Sequence, residues 1–217
     1  MPTFSTPRSI SRGSAPQGQT ASPPFTMVKL TLAMALLAST LAAQAACSVD
    51  DGRQFLADGG STCPATQNAY TLSANNGSAT VVMAQGAASV VNLTAANVNA
   101  LYAGGGNSYG IGVTGGGTLN ATGNVTTESR GTNGRGVYMT DGKIEITGNL
   151  HAIRTVRTQG AAIELASSDS NLIVRGTTKM ETAGVTGSDG LRNNGIASFT
   201  GAVAIDTANY TNSIRNT

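Results

Sequence analysis

Tryptophan is absent from this chain of 217 residues, and the other large aromatics amount to four Phe and five Tyr. Charge is scarce as well: Asp, Glu, Lys and Arg make up 11%, against about 25% in an ordinary soluble domain. With so few rings, a thick three-dimensional core is hard to fill, and stacked small and aliphatic side chains are the natural substitute. Scarce charge does not imply disorder here. Disordered chains are rich in charge or proline, whereas the middle of this one places Val, Ile and Leu at regular intervals.

The net charge of +2 is too small to draw a polyanion, and no basic run or interleaved aromatic platform occurs. Nucleic acid is therefore excluded as a partner. A single histidine and two cysteines cannot complete a zinc site, and no cofactor or metal is expected. Cys47 and Cys63, 16 positions apart, form no C-x-x-C redox motif. In an oxidising compartment they are the probable disulfide that clips the mature N-terminus, constraining the unfolded chain by about 3 kcal/mol.

Proline is confined almost wholly to the front. Residues 1–26 hold five of the six prolines (Pro2, Pro7, Pro16, Pro23 and Pro24) and read as a disordered leader or a mis-assigned start. Next comes "MVKLTLAMALLASTLAAQAACS": a short positive start at Met27 and Lys29, an apolar stretch from Leu30 to Leu41, and the small-x-small cleavage signature Ala43-Gln44-Ala45. That is the layout of a secretory signal peptide over residues 27–45, forming a signal helix, with Met27 as the natural start. A lipoprotein reading of Cys47 is disfavoured because Gln44 stands where a lipid-attachment box needs Leu.

Glycine, by contrast, is plentiful, and it recurs with a period. "GTLNATGNVTT", "GKIEITGNLHA", "NLIVRGTTKMET" and "IASFTGAVAIDT" align on Gly123, Gly148, Gly176 and Gly201, at intervals of 25, 28 and 25. Two residues before each glycine stand Ala121, Ile146, Val174 and Phe199; four before stand Leu119, Ile144, Leu172 and Ala197. Two after stand Val125, Leu150, Thr178 and Val203. A second aliphatic pair precedes each copy (Ile111/Val113, Val137/Met139, Ile163/Leu165, with Leu191 a weaker fourth), behind a small residue at Gly110, Gly136, Ala162 and Gly190. Alternation of period two means strand, and a fixed interval of this length means a solenoid.

Short strands with one apolar face are unstable alone, but a strand in each winding can bond to its counterpart about 4.8 Å above. The expectation is an all-β chain: a right-handed single-stranded parallel β-helix with coils of about 25–28 residues. Leu119, Ile144 and Leu172 should stack in one column, and Ala121, Ile146, Val174 and Phe199 in another. The repeated glycines are predicted to turn corners at positive φ. Residues 46–108 form the N-terminal cap and first irregular coils, with candidate strands at Tyr70–Leu72, Thr80–Met83 and Ser89–Leu93 and an Asn76-Gly77 turn. Residues 109–217 form the truncated series of β-helix coils.

Chemistry-bearing motifs are thin. "GNSYG", Gly106 to Gly110, matches the nucleophile elbow around Ser108, but it leads into a strand rather than a helix, and its only candidate base is His151. "GIGVTG" lacks the helix that a dinucleotide fingerprint requires. Asp169, Asp189, Asp206, Glu145, Glu164 and Arg175 are the pieces available to a polysaccharide lyase or hydrolase, yet they fall at different phases with no stacked carboxylate pair. They read as solvated charges on turns and strand faces. Arg130-Gly131-Thr132 and Arg175-Gly176-Thr177 lack the aspartate of an integrin-binding tripeptide. No catalytic residue is assigned.

A signal peptide followed by "GVTGGGTLNATGNVTTESRGTNGRGVYMTDGKIEITGNL" and further coils resembles the passenger region of a pertactin-like autotransporter (type V secretion), over about residues 109–207. The resemblance implies a right-handed parallel β-helix displayed at the outer surface for adhesion, aggregation or host contact, with no shared catalytic residues. Such proteins end in a membrane β-barrel, and "TANYTNSIRNT" supplies none. The expectation is a truncated, non-enzymatic passenger segment acting as stalk or adhesin, with a host surface, matrix or a second copy as partner. It would reach the periplasm as it stands, and the cell surface in a full-length relative. The alternatives are a carbohydrate-active β-helix enzyme and a non-functional remnant.

Overall fold

A computed structural model describes residues 47–50, 53–65, 67–72, 78–100, 106–155, 160–183, 188–207 and 213–217. The leader, the signal segment and the Asn76-Gly77 turn lie outside the described residues. What is described is all strand and turn, and among those residues there is no helix.

The chain winds as a parallel β-solenoid. The first winding holds β1 (Cys47–Asp50), β2 (Arg53–Ala57), β3 (Thr62–Ala65) and β4 (Ala69–Leu72); the second, β5 (Ser78–Gln85) and β6 (Val90–Ala100); the third, β7 (Asn107–Thr114) and β8 (Thr118–Ser129). Each later winding has three strands: β9 (Arg135–Met139), β10 (Gly142–Ile146) and β11 (Leu150–Arg154), then β12 (Gly160–Leu165), β13 (Ser170–Val174) and β14 (Thr178–Thr182). Then follow β15 (Ser188–Asn193), β16 (Ile196–Phe199) and β17 (Val203–Thr207), with β18 (Ile214–Asn216) beginning one more. One face is the sheet β1-β2-β5-β7-β9-β12-β15-β18, and the other two form the ten-stranded sheet around β8. Every pairing is parallel except β1 on β2.

The register carries the columns. Leu119 pairs with Ile144, Ile144 with Leu172 and Leu172 with Ala197, while Ile146 lies between Ala121 and Val174, and Val174 pairs with Phe199. Both columns continue downward, through Val91 to Cys63 and through Leu93 to Ala65. On the first face Phe55, Val82, Ile111, Val137, Ile163, Leu191 and Ile214 are successive partners. These side chains fill a continuous interior, with Ile111, Leu119, Ile144, Ile146, Ile163 and Leu172 among the largest fully buried ones. The candidate strands of the first windings are β4, β5 and β6, and β6 runs further than expected, to Ala100.

The corner at Thr-Gly-Asn departs from expectation in an instructive way. Gly123 has φ +89°, but none of Gly148, Gly176 and Gly201 has positive φ. Their glycine is required by stacking. A Cβ on Gly148 would overlap the Gly123 carbonyl, and one on Gly176 would lie 2.5 Å from the Gly148 oxygen. The corners sit directly over one another, with backbone against backbone. The flanking residues hold the stack. Thr147 Oγ1 donates to Ala121 O at 3.2 Å, and Thr122 Oγ1 to Leu93 O at 3.4 Å. Asn124 Oδ1 accepts the Asn149 N–H at 3.1 Å, and Asn149 Oδ1 accepts the Thr177 N–H at 2.8 Å. Thus the Thr147 hydroxyl doubles the bond that its own N–H makes to Ala121 O one winding down, and Asn124 and Asn149 each accept an N–H from the winding above.

The small residues ahead of each aliphatic pair have a similar cause. A Cβ on Gly110 would strike Thr127 Oγ1, and one on Gly190 would strike Ile205, because the first and third faces converge there.

Cys47 on β1 and Cys63 on β3 are joined by a disulfide with Cα atoms 5.6 Å apart.

Candidate functional site

Alternation along the third face turns Glu128, His151, Ile153, Lys179, Glu181 and Asp206 outward, while Leu150, Ala152, Met180 and their neighbours fill the core. Register then decides which charges meet. Lys179 stacks on His151, and Glu181 on Ile153. Asp206 is the direct partner of Glu181 in the next winding. Two carboxylates are therefore stacked, contrary to the sequence reading, which left out Glu181 although it stands five residues beyond Gly176 just as Asp206 stands five beyond Gly201. Together with Thr182 and Ala183 they line a shallow depression of about 280 Å³.

The electrostatics of this cluster are those of a surface ion network. Lys179 makes a short ion pair with Glu181, and His151 Nε2 comes within 3.1 Å of Glu181 Oε2, off the line of a hydrogen bond. The Lys179 hydrogen bond, aided by His151, holds the Glu181 carboxyl below the usual carboxylate range, and Glu181 in turn raises the Lys179 ammonium. A general acid needs a raised carboxyl and a general base a lowered amine, so both shifts run against proton transfer at neutral pH.

A second pairing lies on the middle face. Glu145 Oε1 receives Arg175 Nη2 at 2.6 Å and Nε at 2.9 Å, and Glu145 Oε2 lies 2.7 Å from Lys143 Nζ. Lys143 and Arg175, by hydrogen bonding, lower the Glu145 carboxyl. Asp169 is exposed in a turn, where its carbonyl accepts the Gly142 N–H at 3.1 Å.

The outer side of the first face is more enclosed. Tyr109 and Tyr138 stack with ring centroids 4.2 Å apart and planes 14° from parallel, and the Arg135 guanidinium lies 5.9 and 5.8 Å from the two centroids. Arg135 Nε pairs with Glu164 at 2.7 Å, and Arg192 Nη1 approaches the same carboxylate at 3.5 Å. Arg192 also donates to Asp189 Oδ2 at 3.0 Å, and Arg215 lies 3.8 Å from that oxygen. Glu164 is 9% exposed and Asp189 fully buried, so neither is the solvated charge that the sequence suggested. The cause is again register: Glu164 pairs with Arg192, and Arg192 with Arg215, so cations close over both carboxylates.

Inside, the corner between the third and first faces is polar. Ser108, the serine of "GNSYG", is buried within β7, 2.9 Å from Ser129 Oγ, and accepts the Gly131 N–H at 2.9 Å. It has no nucleophile's exposure, and His151 faces outward on another strand. One winding on from Ser129, Arg154 is fully buried and donates to Gly134 O at 2.9 Å, Thr132 O at 3.1 Å and Ser188 Oγ at 3.2 Å. Burial, with Arg135 and Arg192 nearby, lowers its pKa to about 10. Period two marks position 154 as inward; nothing in the sequence marks it as a place for a charge.

Among the described residues no group of three or more His, Cys, Asp or Glu is placed to hold a metal ion. Fold and faces together define the class, a parallel β-solenoid with an aliphatic interior and ion-paired outer faces. No protein-family model, curated protein or solved structure matches the chain.

Proposed function

We propose that the chain is a structural segment of a secreted, surface-displayed protein: an autotransporter-type passenger shaft that presents its faces to a host surface, to matrix or to other copies. The observation that carries this reading is the continuity of the stack. Among the described residues the core columns pass from winding to winding without a break, and the corner glycines of four successive windings lie over one another. A shaft built this way gains stability by adding identical neighbours, which suits a spacer. The test fuses residues 27–217 to an autotransporter barrel in a Gram-negative host. Surface exposure by protease shaving, together with cell aggregation or adhesion, supports the proposal. Retention in the cytoplasm, or display with neither property, sinks it.

One observation favours a second reading, a carbohydrate-active enzyme: Glu181 and Asp206 stack beside Lys179 over a depression. Adjacent rungs put the two backbones about 4.8 Å apart, close to the carboxyl spacing of about 5 Å in retaining glycosidases. Release of reducing ends from neutral or acidic polysaccharides, abolished in Glu181→Gln, would establish it. Absence of release from a panel of such polymers leaves the shaft.

A further inference from the structure

Tyr109 and Tyr138 come from successive windings and are not register partners. Tyr109 pairs with Arg135, and Tyr138 with Gly112. Side-chain reach rather than register brings the two rings together on the outer face. The rings are nearly parallel, with centroids 4.2 Å apart. A tyrosyl radical carries spin on the carbons ortho to its oxygen, and rings stacked this closely bring those carbons near one another. Both side chains are partly exposed on the outer face, whereas Tyr70 is 2% exposed and packs on Phe55. The strands beneath are fixed by their ladders to β5 and β12, so the rings keep their approach.

We propose that Tyr109 and Tyr138 form a site of oxidative cross-linking, joined through their ortho carbons into an intramolecular dityrosine by a peroxidase using hydrogen peroxide. Each phenol gives up one electron and its hydroxyl proton, leaving two tyrosyl radicals. The radicals pair to make one carbon–carbon bond, and the two hydrogens on the joined carbons shift to the oxygens as the rings regain aromaticity. Hydrogen peroxide takes up the two electrons and two protons and leaves as two waters, so the protein loses two hydrogens overall. The bond would tie two windings together midway along the shaft, far in sequence from the Cys47–Cys63 bridge.

The experiment treats the purified full chain with hydrogen peroxide and a haem peroxidase, then combines dityrosine fluorescence, a denaturing gel and peptide mapping. The expected product migrates as a monomer, is lighter by two hydrogens, and yields one linked peptide pair containing Tyr109 and Tyr138. Preorganised neighbours react as if at very high concentration, so unfolding in denaturant before oxidation should cut the yield of that link about tenfold or more. Tyr109→Phe and Tyr138→Phe keep the stacked ring and therefore the fold, checked by an unchanged strand signature in circular dichroism, and each should abolish the link. No dityrosine, links only between molecules, links at other tyrosines, or equal yield from the denatured chain would each overturn the proposal.

Discussion

At the Thr-Gly-Asn corner the Asn side chains accept backbone N–H groups of the next winding, whereas on the third face the charged side chains bond one another. Both strips repeat along the same axis with the same register. At the corner, Asn124 Oδ1 reaches the Asn149 backbone, Asn149 Oδ1 reaches that of Thr177, and the glycines between leave no gap for a side chain. On the face, the side chains of His151, Lys179, Glu181 and Asp206 share a patch laid over a ladder whose backbone bonds do not depend on them. Polarity alone therefore says little about constraint. A polar residue is fixed when it replaces a ladder bond, and replaceable when it merely covers one.

The largest effect should come from the apolar interior against which both strips are built. Ile146→Ala, between Ala121 and Val174 and fully buried, removes a core side chain in mid-column and should cost about 3 kcal/mol. Denaturant unfolding would measure it, and a loss under about 1 kcal/mol would mean that the columns do not bear the stack. Gly148→Ala comes next. Its single extra methyl meets the Gly123 carbonyl, and the backbones must part to admit it, at about 2 kcal/mol. Stability equal to wild type there would show that the corner is looser than the stacking requires.

An alkaline titration sharpens the contrast between buried and covering groups. Burial lowers the Arg154 pKa to about 10, while hydrogen bonds from all three of its nitrogens favour the charged guanidinium. Tyr109 gives the measurable case. Burial raises its phenol from 10.0 to about 12, so the folded state holds the proton longer and this contribution falls across pH 10 to 12. Tyr109→Phe should therefore lose less stability than wild type between pH 10 and 12 when melting is followed by circular dichroism. An identical decline in both proteins would contradict the assignment.

Most of the stack was legible in the sequence because a solenoid writes its contacts as a period. Aligning four glycines was enough to place Ile146 over Ala121 and under Val174. The cause of those glycines was not legible, since a residue that avoids a clash with the next winding looks like one that adopts positive φ. Only Gly123 does the latter. The outer faces were harder for a related reason. Phase tells which side chains point outward and does stack Glu181 on Asp206, but ion pairing depends on reach across rungs, so the closure of Arg192 and Arg215 over the buried Asp189 was not legible. Arg154 was the least legible of all. Two of its partners are carbonyls of a turn some 20 positions earlier in the chain, and carbonyls carry no residue-type signature.

The smallest effects set the corner against the face most directly. Asn149→Ala removes the acceptor for the Thr177 N–H at a point where no backbone carbonyl substitutes, so about 1 kcal/mol should be lost. Arg175→Ala, on the neighbouring face, removes two hydrogen bonds to Glu145 rather than one, and on a count of bonds it should be the worse of the two. The side chain of Arg175 is 54% exposed, however, and Lys143 remains 2.7 Å from the same carboxylate. Exposed pairs contribute only about 0.2–1 kcal/mol, so the expected loss is at the lower end and fades in high salt. Chemical denaturation of both variants at low and high ionic strength separates the cases. If Arg175→Ala proved costlier than Asn149→Ala and insensitive to salt, the face would be as constrained as the corner, and the distinction drawn between them would fail.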